Sequence, residues 1–328
     1  LYRRGKNMFA FLISEQYQNI LLFVGIAVTF IAAFLLFANA KRFLPRDAGR
    51  EYAINGAKSK GKARGAGLVL VLTFIGSVLL FVDFSPEILI YLLLLTAEMI
   101  AGFLDDSASV SWGERKKALL DLGVAVIFAI TYLAYNPSTF NLSFIDVTVH
   151  IHPILYAILI IILVFVSINV TNCADGVDGL CGSQCIIAFG TIIALMHKYG
   201  VATNFSHMLV MLLAVLGAYM WFNSSPSSIL MGDAGSRALG FLLAVSCIKL
   251  GHPILFLLIA FILVVDGGLG LVKLTFTRIL KRPVMTGVRT PIHDHFRKNW
   301  HWSDTHVVNR FAIIQAVIAM CLIFTVVQ

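Results

Sequence analysis

Charge is what this chain has least of. Only 13% of its 328 residues are Asp, Glu, Lys or Arg, and 17 are acidic, against 59% hydrophobic residues. Soluble domains average about 25% charged residues, so this is not the composition of a soluble domain. Cysteine is sparse as well. Cys173, Cys181, Cys185, Cys247 and Cys321 form no C-x-x-C pair, which argues against a disulfide framework or a zinc site. Cys181 and Cys185 read as small packing residues. The chain also lacks solenoid repeats, low-complexity tracts, an inverted repeat of the transporter kind, a cleavable signal pattern and any stretch polar enough for a soluble domain. The expectation is one transmembrane domain over residues 1–328.

What is abundant is long apolar sequence, with a mean hydropathy of +0.88. Ten candidate spans lie near 19–40, 66–84, 87–104, 118–135, 153–170, 179–197, 207–222, 235–250, 253–278 and 309–327. About 20 apolar residues cross a bilayer core as a helix, whereas a β-barrel alternates polar and apolar residues in segments of about ten. The predicted fold is therefore all-α, a polytopic integral membrane protein with ten helices. The eighth span is weakened by Arg237. The ninth is interrupted by Asp266-Gly267-Gly268 and Gly270, which predicts a bend or a projection from the bilayer.

The net charge of +8 is distributed as an orientation signal rather than as a nucleic-acid surface. Eight Lys and Arg fall in 41–64, three in 105–117 and six in 278–298, whereas the opposite loops offer only Lys198 and Lys249. Cytoplasmic loops carry the excess of positive charge, which places 41–65, 105–117, 171–178, 223–234 and 279–308 in the cytoplasm and both termini outside. Arg3, Arg4 and Lys6 run against that orientation. Since Met8 is a potential start, the first seven residues read as an added remnant or as a short tail outvoted by the loops.

The few carboxylates gather in these same loops. Asp105-Asp106 ends the third span, and Arg115, Lys116 and Lys117 follow with neutralising charge. Asn169-Val-Thr-Asn172-Cys-Ala-Asp175-Gly-Val-Asp178-Gly179 joins the fifth and sixth spans. It offers carboxylates, amides and backbone N–H groups near a helix start, a natural phosphate site. Asn223 opens a Ser/Pro-rich loop that ends in Met231-Gly-Asp233-Ala-Gly-Ser236. Asp233 suits either a helix cap or Mg²⁺, which prefers hard oxygen ligands shared with substrate phosphates. In Pro291-Ile-His293-Asp294-His295-Phe296 the two histidines suit a metal or a diphosphate. Taken singly, each loop also reads as a solvated helix end, a capped turn or surface histidines. Trp300 and Trp302 read as interfacial anchors. Asp266, inside the ninth span, faces either the site or an internal partner.

Four such motifs in order resemble the polyprenyl-phosphate N-acetylhexosamine-1-phosphate transferase superfamily. The residues that carry the resemblance are Asp105-Asp106, Asn172-Cys-Ala-Asp175-Gly-Val-Asp178-Gly-Leu180 and Met231-Gly-Asp233-Ala-Gly-Ser236. The segment at 291–296, with Phe222-Asn223, is similar to the phospho-N-acetylmuramoyl-pentapeptide transferase branch. Three departures stand out. Asp294 replaces the middle histidine of that branch's triplet, Leu230 replaces an aromatic able to stack on uracil, and a glycine-rich segment survives only as Gly61-Lys-Ala-Arg-Gly-Ala-Gly67.

The resemblance implies a reaction between UDP-MurNAc-pentapeptide and undecaprenyl phosphate in a bacterial inner membrane, giving lipid I and UMP on the cytoplasmic side. It implies Mg²⁺ on Asp233 and catalytic roles for Asp105, Asp106, Lys117, Asp233, His293 and His295. It implies substrate contacts from Lys60, Asn172, Asp175, Asp178 and Asn223. Asp105 is a candidate base or nucleophile, although a phosphate monoester, with a second pKa of about 6, needs little help from a base. Direct displacement is therefore expected. A homodimer is permitted and not required. Three rivals remain: a sister enzyme using UDP-GlcNAc, a cation- or proton-coupled transporter built on Asp266 and the aspartates, and a structural scaffold. The transporter predicts acids near mid-span, whereas most acids here lie at span ends.

Overall fold

The computed structural model describes residues 18–47, 49, 59–108, 110–142, 144–145, 147–201, 203–278, 281–282 and 284–326. Arg3, Arg4, Lys6 and Met8 lie outside them. All ten apolar stretches are helical. In chain order the helices are α1 (Gln18–Asn39), α2 (Gly67–Phe81), α3 (Pro86–Asp106), α4 (Glu114–Tyr135), α5 (Pro153–Ala174), α6 (Leu180–Tyr199), α7 (Thr203–Asn223) and α8 (Asp233–Lys249). A bent pair follows, α9 (Pro253–Ile259) and α10 (Phe261–Arg278), and then α11 (Ile292–Asn299) and α12 (Asp304–Thr325). Among the described residues seven helices are long and apolar enough to cross a membrane, or eight when the bent pair counts as one span. The protein is thus an all-α, multi-pass membrane protein. α2 and α8 are shorter, at 15 and 17 residues.

The weakness of the eighth span has a packing explanation. Every residue of α8 from Asp233 to Ile248 is buried. The helix is wrapped by α3 and α5, and Phe241 meets Phe128 of α4 edge-on at 5.7 Å. A helix that contacts protein on all sides has no lipid face to satisfy, so Arg237 is tolerated where hydropathy alone argues against it. Helices also come very close here. A Cβ on Gly102 of α3 would overlap the backbone of Asp233 and Ala234. Such small-residue contacts are how membrane helices gain van der Waals packing without a hydrophobic drive.

The ninth span bends, but not where its glycines predicted. α9 and α10 meet at 78° around Ala260. The Asp266-Gly267-Gly268 break instead forms a π-helical turn, Val264–Gly268, the kind of local insertion that often marks a functional site. Beyond it, Leu269–Arg278 buries none of its residues, so this end projects from the bundle. One element has no counterpart in the sequence reading. Thr139–Leu142 (β1) and Val147–His150 (β2) pair antiparallel, with Thr139 opposite His150. This hairpin lies at the end of the bundle remote from the acidic loops and is tied to it by Asn141 N–H donating to Gly251 O at 2.9 Å.

Candidate active site

The acidic loops gather at one end, around the first turn of α8. Gly232 precedes that turn with φ +72°, a conformation open to glycine at little cost. The buried N–H groups of Asp233 and Ala234, which have no partner within the helix, donate to Asp106 Oδ1 and Oδ2, each at 3.1 Å. Asp106 therefore caps α8 from the end of α3, with its negative charge on the positive end of the helix dipole. Gly232 N–H donates to Asp175 Oδ2 at 3.0 Å. Three carboxylates thus surround one helix start.

Two cations hold that cluster together. Lys117 Nζ lies 2.6 Å from Asp105 Oδ2 and 3.0 Å from Asp233 Oδ2. Arg64 Nε lies 2.9 Å from Asp106 Oδ1, and its guanidinium reaches to 4.0 Å from Asp233 Oδ1. Burial works to lower the pKa of Arg64, but Asp106, Asp233, Asp47 and Asp175 outweigh it and the net direction is upward, so it stays charged. Asn172 Nδ2 donates to Asp233 Oδ1 at 3.2 Å and to Ser236 Oγ at 2.9 Å. Asp105 spends its other oxygen on Trp112 N–H at 2.5 Å.

A cavity of about 640 Å³ opens beside the cluster, with Lys62, Arg64, Asn172, Asp175, Asp178 and His293 in its wall. Asp178 Oδ2 accepts from Lys62 Nζ and from Ser227 N–H, both at 3.0 Å. Asn223 also lines the cavity, but its amide serves the loops, accepting from Gly179 N–H and donating to Ile229 O at 2.9 Å each. His293 is fixed by Asp266, which accepts its backbone N–H at 2.7 Å and lies 2.7 Å from its Nδ1. Asp266 is thus paired internally, and it is its partner His293 that lies in the cavity wall.

Asp105, Asp106, Lys117 and Asp233 form the cluster and are not themselves among the wall residues, and two expected residues join neither the cluster nor the wall. Lys60 is exposed and is not in the cavity wall; Lys62 and Arg64 are. His295 likewise stays out of the wall and accepts from Arg289 N–H at 3.2 Å, holding its own loop. Asp294, the residue in the histidine triplet's place, faces the cavity and binds Arg297 at 3.2 Å, which also binds Asp304 at 2.9 Å.

A family model described as glycosyl transferase family 4 matches residues 88–251. The chain is 36% identical over 326 residues to a phospho-N-acetylmuramoyl-pentapeptide-transferase of Treponema pallidum (strain Nichols), covering 94% of this chain and 90% of that protein. The chain belongs to the phospho-N-acetylmuramoyl-pentapeptide transferase family. Identically named relatives include one from Staphylococcus saprophyticus, 28% identical with 89% of this chain and 94% of the relative covered. Another, from Wolbachia pipientis wMel, is 26% identical with 79% and 82% covered.

Within this transferase-family site, the sequence reading passed over Arg64 as one cation among many. Its place depends on Ala63, which bridges Arg46 on one side and Ile229 on the other. Leu230 N–H donates to Ala63 O at 2.7 Å and Ala66 N–H to Leu230 O at 3.0 Å, so the basic segment is sewn onto the loop before Asp233. The buried Glu98, Asp121 and Arg237 were also passed over as functional residues. They carry no motif, and only their burial inside apolar helices marks them.

The donor chemistry at α8 fits Mg²⁺ in one specific way. Among the described residues no three His, Cys, Asp or Glu side chains converge as a ready metal cage. Mg²⁺ bound with phosphates typically needs only one or two carboxylates. Asp233, flanked by Asp106 and Asp175, is the carboxylate that would supply them, in exchange for the contacts its two oxygens make here with Lys117 and Asn172.

Proposed function

We propose that this chain moves phospho-MurNAc-pentapeptide from UDP-MurNAc-pentapeptide to undecaprenyl phosphate, yielding lipid I and UMP. The carrying observation is Lys117 held between Asp105 and Asp233, in a cluster whose partners Arg64, Asn172 and Asp175 line a cavity of about 640 Å³. A cationic, hydrogen-bonding site at helix ends suits a nucleotide sugar arriving from water and a lipid phosphate at the bilayer surface. We place that end at the cytoplasmic face of the inner membrane, because the Lys- and Arg-rich loops share it.

An oxygen of the lipid phosphate attacks the sugar-bearing β-phosphorus, a new P–O bond forms, and the bond to the α-phosphate oxygen breaks to release UMP. Such transfers depend on positioning and charge neutralisation more than on covalent help. Asp233 would hold Mg²⁺, with Asp106 or Asp175 beside it, and the bound ion would neutralise the diphosphate and the departing UMP. Lys117 and Arg64 add positive charge at the phosphates. Lys62, Asp178 and Asn172 orient the nucleotide or the sugar, and His293, locked by Asp266, donates to the diphosphate. Asp105 has both oxygens engaged, by Lys117 and by Trp112 N–H. Its role is therefore to position Lys117, which supports direct displacement over a covalent aspartyl-phosphate.

The test is UMP release by purified protein supplied with undecaprenyl phosphate and Mg²⁺, with UDP-MurNAc-pentapeptide and UDP-GlcNAc run in parallel. Release from the muramyl substrate alone is expected. Release from UDP-GlcNAc alone would transfer the reading to the sister activity.

A further inference from the structure

Beneath the reacting cluster lies a second polar layer for which the transfer reaction has no direct use. Four helices contribute to both layers. α3 carries Asp105 and Glu98, α4 carries Lys117 and Asp121, α5 carries Asn172 and Asn169, and α8 carries Asp233 and Arg237. The spacing within each pair is three, four or seven residues, which puts its two members on one helix face. The upper members meet around Lys117 and Asp233, and the lower members meet around Arg237.

Arg237 is the hub of the lower layer. Its Nη2 donates to Asp121 Oδ1 in a short contact, and to the backbone carbonyl of Lys117 at 3.4 Å. Its Nε lies 3.6 Å from Glu98 Oε2. Asn169 Nδ2 completes the set by donating to Asp121 Oδ2 at 3.4 Å. Glu98 and Asp121 are 1% exposed and Arg237 4%. Burying such a cluster among membrane helices is costly, and apolar replacements of similar size are often neutral or stabilising. Packing alone therefore gives no reason for Arg237. Its geometry does, since one guanidinium grips the side chain of Asp121 and the carbonyl of Lys117, one turn apart on α4, from a point one turn below Asp233 on α8.

We infer that Arg237 is a positioning residue, which docks the first turn of α4 on the first turn of α8 and thereby sets the contact between Lys117 and Asp233. Its catalytic meaning rests on the phosphoryl-transfer reading, whereas its effect on Lys117 does not.

Lysine acylation at one fixed pH, read by peptide mass spectrometry on the purified full chain, tests the inference without substrate. In Arg237→Met, Lys117 should label several-fold faster than in the unaltered protein. Lys249, at the far end of α8 and held 3.0 Å from Glu87, should keep its original rate. Arg237→Lys, which retains charge but not the planar fork, should restore part of the protection. If the single variant fails to fold, Arg237→Met combined with Asp121→Asn and Glu98→Gln removes the buried charges together and should free Lys117 in the same way. In the kinetic arm, Arg237→Met should lower kcat by about 100-fold with KM little changed. It should cost nothing further in a Lys117→Gln background. Unchanged labelling of Lys117, an equal rise at Lys249, or a full additive loss in the Lys117→Gln background would overturn the inference. Absence of UMP release by the unaltered protein would defeat the transferase reading instead, and the labelling would still decide the role of Arg237.

Discussion

Asp266 binds His293 twice, accepting its backbone N–H at 2.7 Å and facing its Nδ1 at 2.7 Å. A single carboxylate on the π-turn of α10 therefore both starts α11 and orients the imidazole at the cavity wall. Burial works to lower the pKa of His293, but Asp266 outweighs it, Asp294 adds to it and Arg297 opposes, and the net direction is upward from 6.5. A group whose pKa is raised by folding contributes stability that is complete below its unfolded pKa and is lost as pH rises through the folded value. Thermal unfolding in detergent from about pH 6 to about pH 9 should show this decline. Asp266→Asn should flatten it and cost about 3 kcal/mol at the acid end.

Asp233 is shared by Lys117, Asn172 and Arg64. Asp233→Ala should reduce UMP release by roughly 100-fold or more, the scale of losing a preorganised electrostatic partner. Chelation should abolish release, and Mg²⁺ should restore it better than Ca²⁺, which favours more ligands and a looser geometry. Release at an unaltered rate in excess chelator would remove the metal from the scheme.

On the proposed direct displacement, in which Asp105 holds Lys117 at 2.6 Å, Asp105→Asn should lower kcat and the unaltered protein should release UMP without a burst. Quench-flow with radiolabelled nucleotide sugar checks this. A phosphorylated peptide containing Asp105 would refute direct displacement.

Lys62 holds Asp178 at 3.0 Å and Ser227 Oγ at 2.8 Å, joining the basic segment to the Asp178 side of the cavity. Lys62→Ala should raise the KM for the nucleotide sugar by about tenfold, the worth of one hydrogen bond to a charged group, and leave kcat largely intact. Steady-state kinetics separates the two. Lys60→Ala, removing an exposed side chain, should change neither.

Gly102→Ala would drive a methyl group into the backbone of Asp233. Overpacking of this kind costs about 1–3 kcal/mol, and here it also displaces the carboxylate that binds Lys117. The variant should lose more in kcat than its lowered melting temperature explains, as paired activity and unfolding measurements would show.

Much of this site was legible before folding. Asp105, Asp106, Asn172, Asp175, Asp178 and Asp233 stand out because carboxylates and amides are rare in so apolar a chain, and the structure brings all six around the start of α8 and the adjoining cavity. The residues missed share one property, that their meaning lies in distant partners. Arg64 is one of many loop cations until Ala63 pairs with Ile229 and carries it to Asp106. His295 looks equivalent to His293 in the sequence, but residues two apart on a helix point about 200° apart, and only His293 meets Asp266. Asn223 sits in the motif as expected, and its amide is consumed by the turns around it.

The sequence by itself determined the membrane-helical class, the helical stretches and the gathering of acidic and basic loops at one end. Each of these follows from local composition, since apolar runs must satisfy their backbone groups internally as helices and positive charge collects on one side. Only the tertiary structure decided that α8 is the wrapped central helix, that the ninth span turns at Ala260, that Asp266 serves His293, and which cation each carboxylate holds. Those choices depend on close approach between helices far apart in the chain, where a glycine without a Cβ or a single buried guanidinium sets the distance, and no local pattern records it.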